Sequence, residues 1–232
     1  MEFHFKQFSV KHDKSAMKVG TDGNLLGAWC GSEGKKRALD IGTGTGLIAL
    51  MMAQREPRLI VDAIDLDRDS FEEASFNVSR SPFADRINTK HISFEEFDPE
   101  HAYDLIVCNP PFFFDQYISK SESRTLARQG NIDWMDWIPK INDLLSDNGS
   151  FEVIFPIDQK EKFLEILEKN GLFISKFWAI FPKPHKPAHR CLFSIKKAAC
   201  KSTFEKLIIE TKVRHEYSFE YQKLMKSYLT IF

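Results

Sequence analysis

The sequence predicts an α/β fold built on a doubly wound, mostly parallel sheet of seven strands with an antiparallel C-terminal edge hairpin. Short apolar segments alternate with segments of helical spacing along most of the chain. A glycine-rich turn, GTGTG, follows the first apolar segment directly, and the last two β-rich segments are joined by PKPHKPAH. Alternating strands and helices are typical of a parallel sheet covered on both faces, in which ligands bind beyond the carboxyl ends of the strands.

Seven segments rich in apolar and β-branched residues predict the strands. They are residues 37–41, 59–64, 86–92, 103–108, 150–155, 172–181 and 190–195. Helical spacing predicts helices for LIALMMAQR, after the glycine turn, and for residues 68–78, 133–145 and 160–169. The ending HEYSFEYQKLMKSYLTIF predicts a short helix and a tail. We therefore expect one domain with an N-terminal extension or lid (1–35), a core (36–197) and a C-terminal tail (198–232) that packs on the core.

The composition is that of a soluble, cytoplasmic protein, and we expect a monomer without a metal or membrane contacts. Of the 232 residues, 43% are hydrophobic, which is ample for a buried core. The formal net charge of −1 excludes a strongly basic chain, so any contact with nucleic acid needs a local patch. The four cysteines lack the paired spacing of a zinc site or disulfide framework. No apolar run approaches the roughly 18 residues that span a bilayer.

The glycine-rich turn carries the first candidate site. Gly42, Gly44 and Gly46 permit positive φ and let a ligand approach the backbone without a Cβ in the way. A dinucleotide site has the spacing GxGxxG and seats a pyrophosphate, whereas this run is GxGxG and is preceded by Asp40. A carboxylate there suits a cationic group, such as the ammonium of S-adenosylmethionine, better than a pyrophosphate. The simpler alternative is a turn that only joins strand to helix, with Asp40 capping it.

Asp65, at the end of the second predicted strand, completes the candidate cofactor site. A carboxylate at that point can accept both ribose hydroxyls of a nucleoside. Asp65 and Asp40 together suit an adenosyl ligand with a positively charged tail, and we expect S-adenosylmethionine as the cofactor. Ser93, after the third predicted strand, is a candidate contact for the adenine ring, although an acid would be the usual acceptor for the adenine amino group. Asp67 and Asp69 are interpreted as charges at a helix N-terminus.

The tetrapeptide Asn109-Pro110-Pro111-Phe112 follows the apolar segment YDLIVC and is the candidate catalytic motif. Prolines at the end of a strand fix the backbone and leave carbonyls free to accept hydrogen bonds. The Asn109 side-chain oxygen and the Pro110 carbonyl can accept both hydrogens of an amino group on a planar ring. This draws the nitrogen towards tetrahedral geometry and frees its lone pair for attack on a methyl group, while Phe112 stacks on the flat acceptor. The alternative is an ordinary strand-ending turn with a phenylalanine in the core.

The motifs DIGTGTG, AIDLD and DLIVCNPPFF together resemble the class I methyltransferases that modify amino groups and carry an N-P-P-aromatic motif. The stretch FKQFSVKHDKSAMKVGTDGNLLGAW is similar to one subgroup, the bacterial tRNA adenine-N6 methyltransferases that modify adenosine 37 of a valine tRNA. The resemblance covers nearly the whole chain, and it implies a Rossmann-like methyltransferase fold with tRNA as substrate. It also implies that residues 18–22 form a lid edge near the methionyl end of the cofactor. Thr21 and Asp22 are secondary candidates there, and helix N-capping by either residue is the alternative.

Two basic clusters are candidates for the RNA contact. One lies in the predicted hairpin connection and contains Lys183, Lys186 and Arg190, and the other includes Lys14 near the N-terminus. Arg128, after the catalytic motif, is a further candidate for a phosphate contact. Such patches can hold phosphates while the base itself is recognised in the pocket. The alternative is that these charges form a solvated surface.

Four other functions share parts of this pattern. A protein glutamine N5-methyltransferase acts on a similarly planar amide, but that family resembles N-P-P-tyrosine and has a helical N-terminal domain. DNA adenine methylation would need a separate target-recognition domain, for which the sequence offers no segment. A nicotinamide oxidoreductase would share the sheet and Asp65, but it would not explain Asp40 or the tetrapeptide. A non-catalytic RNA-binding module of the same fold would bind RNA without transferring a methyl group.

Overall fold

The computed structural model describes residues 1–15, 17–110 and 132–232, and the predictions for Pro111, Phe112 and Arg128 lie outside the described residues. In these ranges, ten strands form two sheets, accompanied by six α-helices. The strands are β1 (Glu2–His4), β2 (Ser9–Lys11), β3 (Arg37–Ile41), β4 (Ile60–Asp65), β5 (Ile87–His91), β6 (Tyr103–Cys108), β7 (Leu145–Pro156), β8 (Phe173–Phe181), β9 (Arg190–Lys196) and β10 (Thr203–Ile208). The helices are α1 (Thr21–Trp29), α2 (Leu47–Arg55), α3 (Arg68–Ser79), α4 (Trp134–Leu144), α5 (Lys160–Lys169) and α6 (Phe219–Met225).

The larger sheet has eight strands in the order β10-β8-β9-β7-β6-β3-β4-β5. Strands β7, β6, β3, β4 and β5 run parallel to one another, whereas β9 is antiparallel to both β7 and β8. The predicted fold class, a mostly parallel α/β sheet with an antiparallel hairpin, is confirmed. From β3 the chain winds to β4 and β5 on one side, and later to β6 and β7 on the other. The order therefore switches between β3 and β6, and ligands of open α/β sheets bind at such a switch point.

The sheet has one strand more than the seven expected. Strand β10 lies in the segment assigned to the C-terminal tail, and it pairs in parallel with β8. The β8–β9 hairpin is therefore covered and does not form the edge. Four of the six β10 residues are exposed, so the segment TFEKLI lacks the regular alternation of apolar and polar residues that indicates a half-buried strand. The strand forms because its backbone completes the edge of β8.

Helices cover both faces of the larger sheet, as the alternation of side chains along each strand requires. On β6, Leu105 and Val107 belong to one core, which they share with α1, α2 and the C-terminal residues. Ile106 and Cys108 belong to the opposite core, which they share with α4 and α5. Successive strand residues point to opposite faces, so a strand buried on both sides has a continuous apolar sequence such as YDLIVC. None of the helices in the described ranges combines the length and apolar character needed to span a bilayer.

The N-terminal hairpin β1–β2 packs between the C-terminal residues and α3. The Lys6 amide donates to the Tyr228 carbonyl at 2.8 Å, and Phe5 forms an isolated bridge with Leu229. On the other side, the Asn77 side chain of α3 accepts from the Lys11 amide and donates to the Lys11 carbonyl, each at 2.8 Å. These contacts hold the N-terminal residues beside the start of the glycine-rich turn.

Helix α1 is almost entirely buried, and glycines set its distance from α2. A Cβ placed on Gly27 would lie 2.6 Å from the Met51 Sδ of α2, so only glycine permits this approach. The Arg55 guanidinium of α2 donates to the Gly27 and Cys30 carbonyls at the end of α1. It therefore satisfies carbonyl groups that a helix terminus leaves without partners. This packing directs the N-terminus of α1 towards the carboxyl ends of β3 and β6.

Candidate active site

The glycine-rich turn connects β3 to α2 through three left-handed residues. Gly42, Gly44 and Gly46 have φ angles of 68°, 57° and 80°. Side chains other than glycine are strained in this region, which explains the GxGxG spacing. The Thr43 amide donates to the Ile64 carbonyl of β4 at 3.0 Å, so the turn lies against the end of the neighbouring strand. Because the three glycines have no side chains, a ligand can contact the backbone of this turn directly.

Asp40 lies at the end of β3, 1% exposed, with one carboxylate oxygen already engaged. Its Oδ2 accepts from the Thr43 hydroxyl at 2.7 Å and from the Ala49 amide at 3.2 Å. Its Oδ1 is buried and has no hydrogen-bond partner among the described residues. Burial raises the pKa of Asp40 to about 7, although the bonds from Thr43 and Ala49 lower it. A buried carboxylate with a free oxygen is a site for a cation or a hydrogen-bond donor.

Asp65 ends β4 and faces the turn from the next strand. Its Oδ2 accepts from the Gly44 amide at 2.8 Å, and its Oδ1 accepts from the Asp67 amide at 2.9 Å. Burial raises the pKa of Asp65, while these two backbone bonds lower it. Two carboxylate oxygens have about four acceptor positions. Asp65 therefore has acceptor positions left for a pair of ligand hydroxyls.

An apolar chamber extends from Asp65 along one side of the turn. Its walls are Ile41, Ile64, Leu66, Ile92, Phe94 and Trp137. Phe94 and Trp137 contact each other with ring centroids 4.7 Å apart, and the Trp137 indole donates to the Glu95 carboxylate at 2.7 Å. These walls suit a flat, aromatic ligand group such as adenine.

Ser93, the candidate contact for the adenine ring, does not itself line the apolar chamber. Its hydroxyl accepts from the Glu96 amide at 3.2 Å and closes the turn after β5. Its neighbours Ile92 and Phe94 line the apolar chamber instead. Leu66, Ile92 and Trp137 were not identified from the sequence. Leu66 could have been predicted, because it follows Asp65 directly in the sequence. No neighbouring residue in the sequence indicates that Trp137 reaches the site.

A polar chamber lies on the other side of the turn, under the N-terminus of α1. It is lined by Lys18, Thr21, Asp22, Thr43, Thr45 and His189, among others. Residues of the 18–22 segment therefore border the glycine turn, and their part as a lid edge stays a prediction. The alternative, in which Thr21 or Asp22 caps α1, is wrong, because Gly20 is the N-cap and no side chain caps it. Asp22 instead accepts from the Arg190 guanidinium at 2.8 Å.

Asn109 and the glycine turn are common to both chambers. Met17, Gly42, Gly44 and Asn109 line each of them, and Pro110 lines the apolar one. Strands β3 and β6 are paired from Ala38 to Ile41, so the residue that follows β6 emerges beside the turn that follows β3. The Asn109 Oδ1 is buried and has no hydrogen-bond partner among the described residues. The two chambers thus form one cleft, with an amide acceptor that has no partner where they meet.

Three of the basic residues expected to contact RNA are paired with acids on the surface. Lys14 lies 2.9 Å from Glu72, Lys183 lies 3.2 Å from Glu210, and Arg190 pairs with Asp22. The Lys14–Glu72 pair is exposed, and pairs of this kind contribute about 0–1 kcal/mol, so a phosphate can compete with Glu72 for Lys14. The Lys183–Glu210 and Arg190–Asp22 pairs are partly buried. Lys186 lies at the exposed tip of the β8–β9 connection.

Comparison with known proteins assigns the chain to a family. The model of the methyltransferase small domain matches residues 15–131. A tRNA1(Val) (adenine(37)-N6)-methyltransferase of Flavobacterium psychrophilum is 44% identical over 97% of this chain and 98% of its own length. The chain belongs to this methyltransferase family. A member from Bacteroides fragilis is 42% identical over 97% of this chain and 96% of its own length. A member from Trichodesmium erythraeum is 40% identical over 98% of this chain and 97% of its own length. The resemblance of the N-terminal stretch to this methyltransferase family is confirmed.

Solved structures with the same fold are also methyltransferases. A protein of Agrobacterium tumefaciens described as a predicted O-methyltransferase has a TM-score of 0.70 at 18% identity, over 89% of this chain and 96% of its own. An O-methyltransferase of Brevibacillus brevis in complex with S-adenosyl-L-homocysteine has a TM-score of 0.55 at 16% identity. The match covers 75% of this chain and 71% of that one. At these identities the likeness concerns the fold, and it confirms the Rossmann-like sheet.

The described residues fit S-adenosylmethionine, the methyl donor of this methyltransferase family. Asp40 lines neither chamber but lies two residues before Gly42, which lines both, so its free Oδ1 suits the ammonium group through water. Asp65 has acceptor positions left for the ribose hydroxyls. The apolar chamber next to Asp65 suits the adenine ring. The membership does not favour the glutamine methyltransferase, the oxidoreductase or the non-catalytic module. Within the described ranges, no group of three or more His, Cys, Asp or Glu residues could hold a metal ion.

Proposed function

We propose that this protein transfers the methyl group of S-adenosylmethionine to the exocyclic N6 of adenosine 37, next to the anticodon of a valine tRNA. The observation that carries the proposal is the unpartnered Asn109 Oδ1 where the chamber suited to an adenosyl group and the polar chamber meet. The names of the relatives, which match over nearly their whole length, support the choice of this tRNA position.

The chemical problem is the weak nucleophilicity of an amino nitrogen on an aromatic ring. When bound, the cofactor supplies an electrophilic methyl group on a sulfonium. The Asn109 Oδ1 and the Pro110 carbonyl accept the two hydrogens of the adenine amino group, so its lone pair turns out of the ring plane. Stacking of the base on Phe112, which lies outside the described residues, remains a prediction. The contribution of these residues is orientation, which can supply several kcal/mol of the barrier.

Proton release needs no dedicated base in this scheme. The nitrogen becomes acidic once it carries the methyl group, and water, Asn109 or the Pro110 carbonyl can receive its proton. Asp40 and Asp65 do not act as the base in this scheme, because both lie at the strand ends that hold the cofactor. In the proposal, the acids bind the cofactor while the Asn109-Pro110 pair binds the substrate.

The tRNA contact is proposed for the basic residues around the cleft. Lys186 and Lys183 lie on the β8–β9 connection, Arg190 begins β9, and Lys14 lies near the Ser15 wall of the apolar chamber. Such cations hold phosphates without reading sequence, so the base is identified in the cleft after it leaves its stack. A cytoplasmic location follows from this substrate. We also propose that the protein acts as a monomer.

The test uses an unmodified valine tRNA transcript and methyl-labelled cofactor. We expect one methyl group per tRNA and N6-methyladenosine as the only labelled nucleoside after digestion. A matched transcript with guanosine at position 37 should remain unlabelled. A bacterial protein extract is incubated in parallel, and label on a glutamine amide there, with none on the tRNA, would reject the proposal.

A further inference from the structure

Helix α3 carries a buried acid that the cofactor cleft does not use. Glu73 is 3% exposed and faces the turn that follows β2. Its Oε1 accepts from the amides of Asp13 and Lys14 at 2.6 and 3.0 Å, and its Oε2 accepts from the Ser15 amide at 2.9 Å. Three consecutive backbone donors converge on one carboxylate. Hydrogen bonds to a charged acceptor are stronger than those between neutral groups, so this arrangement anchors the turn firmly.

The anchored turn, residues 13–15, forms part of the cofactor cleft. Ser15 is itself buried and lines the apolar chamber together with Gly44 and Asp65. A Cβ on Gly44 would lie 3.4 Å from the Ser15 hydroxyl, so Ser15 lies directly on the glycine turn. The Ser15 hydroxyl also lies 3.3 Å from the Ser70 hydroxyl of α3. The position of this cleft wall therefore depends on α3.

A second residue on the same face of α3 bonds both the N-terminal segment and the glycine turn. Asn77 lies four residues after Glu73, so their side chains share one face of the helix. Its amide group bonds both backbone groups of Lys11 and donates to the Thr45 carbonyl of the glycine turn at 2.9 Å. The turn of residues 13–15 and the glycine turn are thus both fastened to α3.

We infer that Glu73 is a positioning residue for the cofactor. It holds residues 13–15 over the glycine turn and thereby raises the affinity for the cofactor, although the carboxylate lines neither chamber. Without it, three backbone amides, of which that of Ser15 is buried, lose their acceptor and the Ser15 wall is free to move away from Gly44. The inference concerns the cofactor only, so it stands or falls independently of the proposed tRNA substrate.

The decisive experiment measures binding of S-adenosylhomocysteine to Glu73→Gln by calorimetry. We expect the dissociation constant to rise about tenfold or more, because the amide keeps the size of the side chain but loses its charge and one acceptor. In the methylation assay, the KM for the cofactor should rise, while kcat and the KM for tRNA stay within about twofold at saturating cofactor. An unchanged dissociation constant, even with a lower melting temperature, would overturn the inference.

A matched control is available one residue away on α3. Glu72 contacts the same turn through the Lys14 ammonium at 2.9 Å and also accepts from Arg68 at 3.1 Å, but it is exposed. Glu72→Gln should leave the affinity for S-adenosylhomocysteine within about twofold. Equal weakening in both variants would contradict a specific part for Glu73.

A second variant covers the case in which Glu73→Gln does not fold. Glu73→Asp keeps the charge but shortens the side chain by one methylene, so the carboxylate lies farther from the amides of residues 13–15. We expect this variant to fold and to bind S-adenosylhomocysteine more weakly than the wild type, with faster hydrogen exchange at the amides of residues 13–15. Wild-type affinity together with that faster exchange would overturn the inference, because the cofactor would then be insensitive to the anchoring of the turn.

Discussion

Two buried oxygens without hydrogen-bond partners characterise the candidate site at the scale of single residues. The Asp40 Oδ1 and the Asn109 Oδ1 are buried, and neither has a hydrogen-bond partner among the described residues. A buried polar atom without a partner costs about 1–3 kcal/mol. Asp40 ends β3 and Asn109 follows β6, the two strands that meet at the switch point of the sheet. Asn109 lines both chambers, whereas Asp40 lines neither and lies two residues before Gly42, which lines both.

Replacement of Asn109 tests the proposed catalytic part of its side chain. In Asn109→Ala, we expect kcat to fall about 100-fold or more, a size typical for loss of a preorganised hydrogen-bonding group. The affinity for S-adenosylhomocysteine should stay within about threefold, because Asp40 and Asp65 remain. Steady-state kinetics and calorimetry measure the two effects, and Asn148→Ala, at an exposed position, is the control. A parallel loss of binding and turnover would assign Asn109 to cofactor binding.

The raised pKa of Asp40 predicts opposite effects of pH on stability and on binding. Burial raises the pKa to about 7 from 3.8, so between these values the folded state holds a proton that the unfolded chain has lost. The contribution of Asp40 to stability therefore falls as the pH rises through this window. A cationic ligand favours the ionised carboxylate, so its affinity rises over the same range.

Calorimetry with S-adenosylhomocysteine at several pH values measures this dependence. We expect binding to weaken by up to about tenfold from about pH 8 to about pH 6. Asp40→Asn has no carboxylate to titrate, so its weaker binding should vary less with pH. The same slope in the variant and the wild type would show that another group is responsible.

At the scale of elements, the packing of α1 on α2 places the polar chamber. Gly27 allows the two helices to approach, and Arg55 closes the end of α1. The Arg55 side chain also donates to the Tyr228 hydroxyl at 2.9 Å, which connects this helix pair to the C-terminal residues. The N-terminus of α1, with Thr21 and Asp22, therefore reaches the glycine turn from a rigid base.

A methyl group on Gly27 should destabilise this helix pair. The new Cβ would meet the fully buried Met51 side chain, with its Sδ at 2.6 Å and its Cβ at 3.2 Å. Overpacking of this kind costs about 1–3 kcal/mol, partly offset by the better helix propensity of alanine. We expect Gly27→Ala to lower the free energy of unfolding by about 1–2 kcal/mol in chemical denaturation. In Gly31→Ala the new Cβ has only an ordinary contact at 3.6 Å, so a similar loss there would argue against the packing explanation.

At the scale of the whole molecule, the sheet collects distant segments at one edge. The carboxyl ends of three parallel strands carry the glycine turn, Asp65 and Asn109. The β8–β9 connection brings His189 to the same cleft. The formal net charge of −1 gives no general attraction for RNA. Any electrostatic attraction for tRNA must therefore come from the cations that surround this edge.

Charge reversal at Lys186 tests this placement of the tRNA. Lys186 is preferred to Lys183 and Arg190, because these two form ion pairs with Glu210 and Asp22. We expect Lys186→Glu to raise the KM for tRNA about threefold to tenfold and to leave the affinity for S-adenosylhomocysteine unchanged. The effect should shrink with added salt, since phosphate contacts are screened. Lys201→Glu, another exposed lysine, is the control, and equal effects of both changes would argue against a local patch.

Local sequence was sufficient wherever a function depends on neighbours in the chain. The GxGxG turn after Asp40, the acid at the end of β4 and the Asn109-Pro110 corner each lie where a strand ends in a turn. The chemistry proposed for them follows from residue type and spacing. Buried strands and amphipathic helices leave periodic patterns, so most elements of the sheet could be predicted as well.

Contacts between distant segments were decided only in the tertiary structure. Strand β10 has too few buried residues to show a pattern, and it exists because β8 offers an unpaired edge. Trp137 reaches the apolar chamber, and Glu73 meets residues 13–15, only after helices have packed on the sheet. A sequence determines which groups are available and how they are spaced along one element. Which groups meet across elements depends on the packing of the whole chain, and no local spacing records it.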